Sequence, residues 1–182
     1  PVVIALEELH VAYPEIRAGA KPTPALLRAM MPLIVVKAAT DERDSTVPEL
    51  DDELQFEAVA GAQYVVEFGL VPAAVSAAGI RTQWVVPLGS SGFKSVLGPA
   101  SNASTQGAAD GITMRAGVHQ YGTDVVYAGV RDNASSAVTV HEWSVVTLGN
   151  GGTVGLAWSQ DNPSPTPTRM FVGSWMRTTR LS

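Results

Sequence analysis

The sequence contains no cysteine, which excludes disulfides, thiolate metal sites and a cysteine nucleophile together. Charge is sparse as well. Lys and Arg number 12 against 17 Asp and Glu, a net charge of −5, so there is no basic footprint for nucleic acid or an anionic membrane, and neither is expected as a partner. The first residues, PVVIALEELHVAY, begin apolar but soon meet Glu7, Glu8 and His10 and carry no basic leader. They read as neither a signal peptide nor a membrane span. Long helical periodicities are missing too, which argues against a doubly wound α/β fold.

Catalytic and metal-binding patterns are equally scarce. His10, His119 and His141 lie in separate segments without HxH or HExxH spacing, so no zinc site is expected. The carboxylates crowd into Asp41 to Asp44 and Glu49 to Glu53. Without the alternating order and turn glycine of a calcium loop, they read as a solvated acidic loop. GSSG at 89–92 lacks the spacing and the strand-to-helix elbow of a serine nucleophile. GNGG at 149–152 lacks the helix N-terminus and lysine of a phosphate loop, and reads as a hairpin turn in which Asn150-Gly151 supplies the positive φ angles. On an alternating strand His141 and Glu142 point to opposite faces, so they cannot orient each other, and His141 reads as an exposed strand residue. No enzyme activity and no cofactor are expected.

What is present is strand and turn. At 182 residues with 46% apolar content the chain suits one ordinary domain with a short appendage. TPALLRAMMP, residues 23 to 32, is the best helix candidate. Thr23 suits the N-cap, Pro24 suits the first helical position and Pro32 ends the run. Leu26, Leu27, Met30 and Met31 form its apolar face, and a helix this short must lean on its own domain or on other subunits. Residues 1–35 therefore read as an arm and 36–182 as the main domain.

From Leu33 onward come LIVVKAAT, LQFEAVA, QYVVEFGLV, IRTQWVVPL, ITMRAGVHQY, DVVYAGV, AVTVHEWSVVTL, TVGLAWSQ and RMFVGSWMRTTRL. Tyr64, Val66, Phe68 and Leu70 share one face of the third run, and Ile80, Thr82, Trp84 and Val86 one face of the fourth. This period of two, broken by turn residues, predicts an all-β antiparallel sandwich or barrel. Residues 87–111 read as a surface loop. The closing stretch reads as a hairpin of the last two strands, with Val154, Leu156 and Trp158 on one face of the first and Phe171 and Trp175 on one face of the second. Trp84, Trp143, Trp158 and Trp175 suit either the core or sugar-stacking platforms, the core being the commoner place for aromatics on alternating strands.

The order of segments also resembles a known group. VVKAATDERDST, then DDELQF with AGAQYVVEF, then the closing LAWSQ and GSWMRTTRL resemble small virion proteins of tailed phages that infect actinobacteria, of the minor tail, tail-fibre-like or head-decoration kinds. The resemblance runs from about Met31 to the end. It implies a compact, jelly-roll-like β-sandwich displayed on the virion by an N-terminal segment, non-enzymatic, and repeated by symmetry. A homotrimer would let three helices bury Leu26, Met30 and their neighbours together. Other virion proteins and a host-surface glycan are the further partners. Placement on the head as a decoration protein, or action as a carbohydrate-binding module, are the alternatives to a tail position.

Overall fold

The computed structural model describes residues 31–102, 112–129 and 137–182, together with Lys21, Thr23 and Pro24. Its strands form two large antiparallel sheets and a small one. The six-stranded sheet runs in the spatial order β1 (Leu33–Val36), β13 (Trp175–Arg180), β4 (Gln63–Leu70), β10 (Val140–Thr147), β7 (Lys94–Pro99) and β8 (Met114–His119). The four-stranded sheet runs β3 (Glu49–Ala58), β11 (Gly152–Ser159), β6 (Ile80–Val85) and β9 (Val125–Tyr127). The small sheet joins β2 (Asp41–Arg43), β12 (Thr168–Met170) and β5 (Pro72–Ala73).

The connectivity defines the sandwich. β3 leads to β4, β6 to β7, β8 to β9 and β10 to β11, and each step crosses to the strand at the matching position in the opposite sheet. The orders 3-11-6-9 and 4-10-7-8 are those of an eight-stranded jelly roll, and β13 and β1 extend one sheet beyond β4.

Alternation explains which side chains meet. Val66 and Phe68 of β4, Val140 and Val146 of β10 and Met176 of β13 point inward against Ile80 and Trp84 of β6 and Leu54, Val154, Leu156 and Trp158 of the neighbouring strands. Phe68 meets Trp84 edge to face at 4.9 Å, and Trp84 stacks on Tyr121 at 5.7 Å. Aromatic pairs in such geometry stabilise beyond their buried area, by about 0.5–1.5 kcal/mol.

Four expectations are corrected. Residues 87–111 are not one surface loop, because β7 lies within them as an interior strand with Lys94 and Val96 buried. Its single apolar pair, Val96 and Leu97, is too short a pattern to stand out from Gly and Ser. The acidic run is not wholly a solvated loop: β3 starts at Glu49, and Asp51 is fully buried. The closing stretch is not a hairpin. β11 pairs with β3 and β6, whereas β13 pairs with β1 and β4 in the opposite sheet. The proline-rich loop and β12 carry the chain across the end of the sandwich between them. The glycine-rich turn at 149–152 likewise joins strands of opposite sheets, and its positive-φ glycine is Gly152, at 142°, rather than Gly151. Of the expected helix face, Leu26, Leu27 and Met30 lie outside the described residues, and Met31 is 69% exposed. β1 straddles the expected boundary at residue 35.

Candidate functional site on the outer face of the six-stranded sheet

Two polar clusters with buried centres fix the frame, and the partly exposed carboxylates of the first, Asp41 and Glu53, are both tied to Lys37. At the root of β1, the Lys37 ammonium lies 2.6 Å from Asp41 Oδ2, 2.9 Å from Asp51 Oδ2 and 3.2 Å from Glu53 Oε2. Trp158 Nε1 donates to Asp51 Oδ2 at 2.9 Å, and the backbone N–H of Leu54 donates to Oδ1 at 3.0 Å. Burial pushes the Asp51 carboxyl up, but the Lys37 and Trp158 hydrogen bonds together outweigh it and hold the group below its ordinary range. Burial likewise works against the Lys37 ammonium, yet the bonds to Asp41 and Asp51 raise it overall. Both groups stay charged. Arg43 covers the cluster with its guanidinium 4.0 Å above the Trp158 ring, a cation–π contact. The position among the carboxylates that a cation would take is filled by lysine. Among the described residues no group of three or more His, Asp or Glu is arranged to hold a metal ion.

The second cluster bolts the sheets together. Glu142 of β10 accepts hydrogen bonds from Thr82 and Trp84 of β6 and from Tyr127 of β9, at 2.5, 2.7 and 2.8 Å. Lys94 Nζ stands 3.9 Å from Glu142 Oε2, too far for a hydrogen bond, and burial pushes its amine down. His119 pairs with Lys94 across the ladder of β7 and β8, whereas His141 lies on the other side of the sheet and His10 lies outside the described residues. His119 and His141 are not brought together.

The outward side of the six-stranded sheet is the more distinctive surface. Register aligns Val36, Trp175, Gly69, His141, Leu97 and Ala116 in one row. The next row holds Ile34, Arg177, Glu67, Trp143, Ser95 and Val118. Of these, Ile34, Val36, Leu97 and Val118 are apolar yet exposed, as is Val145 further along β10.

At one end this face forms a groove of about 490 Å³, lined by Glu67, Gly69, Thr139, His141, Trp175 and Arg177. Gly69 makes room for it. A Cβ there would collide with the Trp175 indole, so only glycine lets that ring lie against the sheet. The His141 ring stacks on Trp143 at 4.9 Å and sits 6.2 Å from Trp175 at a tilt of 45°, a spacer between two indoles. Arg177 Nη2 and Glu67 Oε2 form an ion pair of 2.6 Å one row away.

The tryptophans thus divide. Trp84 and Trp158 are core, as expected of each, whereas Trp175 is only partly buried and Trp143 is 37% exposed. His141 is half-buried rather than exposed, because the indoles flank it. Glu67, Gly69 and Arg177 had no local signal; the phase of β10 was the available one. Val140, Glu142 and Val146 face inward, so Trp143 on the opposite phase had to face out. No protein-family model matches the chain, and no curated protein matches it.

Proposed function

We propose that this chain is a non-enzymatic structural protein of a tailed-phage virion, a minor tail or tail-fibre-like protein held by its N-terminal segment with the jelly roll facing outward. The observation that carries this reading is how the N-terminal side enters the sandwich. β1 is the outermost strand of its sheet, and it hands over directly to Lys37, whose buried ammonium is gripped by three carboxylates. A tether attached at an edge strand can be ordered by a neighbouring subunit without disturbing the two-sheet core, and the ion cluster resists its being pulled away. The segments that carry the phage resemblance, VVKAATDERDST and DDELQF, contain Lys37, Asp41, Asp51 and Glu53 themselves.

Labelling the protein on intact particles and imaging them by electron microscopy tests the proposal. Signal at the tail supports it; signal over the head shell replaces the tail position by a decoration role, and absence from particles overturns the virion reading. Native mass spectrometry of the full chain checks the associated expectation of a homotrimer.

A further inference from the structure

We infer that the groove beside Trp175 binds a saccharide, with a sugar ring stacked on the indole and its hydroxyls held by Glu67 and Arg177. The inference deepens the display reading and rests on it for its setting, since an outward-facing sandwich meets the polysaccharide of a cell surface.

The geometry supplies both halves of sugar recognition. A pyranose has an apolar C–H face and a hydroxyl rim, so it needs a flat aromatic surface with hydrogen-bonding groups at its edge. Gly69 lets the Trp175 indole lie against the strand. Trp175 and Arg177 are two residues apart on β13, which puts both side chains on the same face with their Cα atoms about 7 Å apart along the strand. The Glu67 partner leaves part of the five-donor Arg177 fork available, and Arg177 is 49% exposed. The volume of about 490 Å³ lies within the usual range for small-molecule sites, about 300–1,000 Å³.

The same features disfavour other occupants. An apolar protein surface would strip water from the Glu67–Arg177 pair, a cost that Coulomb attraction does not reliably offset. Nucleic acid is disfavoured by the net charge of −5. A second copy of this chain would better cover the aliphatic end of the face around Leu97, Val118 and Val145.

The full chain, free in solution, is titrated with chitotetraose, cellotetraose, maltotetraose and a galactan oligomer while amide shifts and tryptophan emission are followed. At least one probe should move Gly69, His141 and Trp175. Trp175→Ala and Arg177→Gln should each weaken that binding about tenfold or more, the scale of losing one aromatic or charged anchor. Val118→Ser, at the far end of the face, should leave it unchanged, with equal melting temperatures confirming that every variant folds. The inference is overturned if no probe shifts a groove residue, or if folded Trp175→Ala and Arg177→Gln bind as the parent does. It is overturned equally if Trp175→Ala instead dissociates a dimer seen by sedimentation, since a second copy then fills the groove. A chain found on particles that binds no probe sinks this inference alone, whereas sugar binding by a chain absent from particles sinks the display reading alone.

Discussion

Asp51 shows how much one side chain can decide. Its carboxylate receives the Lys37 ammonium, the Trp158 indole N–H and the backbone N–H groups of Glu53 and Leu54 while fully buried. Because its folded-state value is depressed, the stability it contributes is present above the ordinary 3.8 and is lost as pH falls through the lower folded value. Lys37 is raised, so its share is present below 10.5 and is lost as pH rises through the higher folded value. Asp51→Asn should therefore cost about 3 kcal/mol at neutral pH, the scale of breaking a buried pair. In urea unfolding the difference from the parent should shrink as pH falls below 3.8; a gap independent of pH would mean the carboxylate charge is not what matters. Glu142→Leu should cost a similar amount, about 3 kcal/mol, because Thr82, Trp84 and Tyr127 would each lose a buried acceptor. Equal stability of the two proteins in the same assay would rule the bolt out. Neither cluster is visible in the sequence at these positions. Asp51 is one carboxylate in the run ELDDE, and nothing local separates the buried one from its exposed neighbour Asp52.

At the scale of the element, Gly69 in β4 is the informative position. Both of its register partners, Trp175 and His141, are groove residues. Gly69→Ala should displace the indole and cost about 1–3 kcal/mol by overpacking. Thermal denaturation measures the loss, and a change in tryptophan emission reports the moved ring; an unshifted spectrum would show that the ring does not depend on this glycine. The strands with strong alternation were legible for a physical reason: β4, β6 and β10 each bury one face, so period two is written into their residues. β7 was not legible, because Gly98 and Pro99 dilute its pattern and its buried Lys94 reads as a surface residue. The turn between β10 and β11 carried clear glycine chemistry, but turn chemistry does not say which sheet the next strand joins.

For the whole molecule the decisive pairings are remote in sequence: β1 with β13, β3 with β11, β4 with β10. Such topologies fold slowly, since loop entropy is lost before the contacts reward it, and they close only when the last strand arrives. A chain ended after Ser174 lacks β13, which lies between β1 and β4, and it should fail to give a cooperative thermal transition by circular dichroism. A chain starting at Pro32 keeps every strand of the described residues and should melt close to the parent temperature while no longer joining particles. Cooperative melting of the first, or particle assembly by the second, would refute the corresponding role. The sequence alone determined the all-β class, the absence of thiol chemistry and the inward phase of the strongly alternating strands, because composition and period two are local properties of the chain. Strand order, the burial of Lys37 with Asp51 and of Glu142 with its donors, and the meeting of Trp175, His141, Glu67 and Arg177 in one groove were decided only by tertiary structure. Each depends on register between strands far apart in sequence, and the outward phase of a tryptophan gains meaning only when the neighbouring strand presents a glycine beside it.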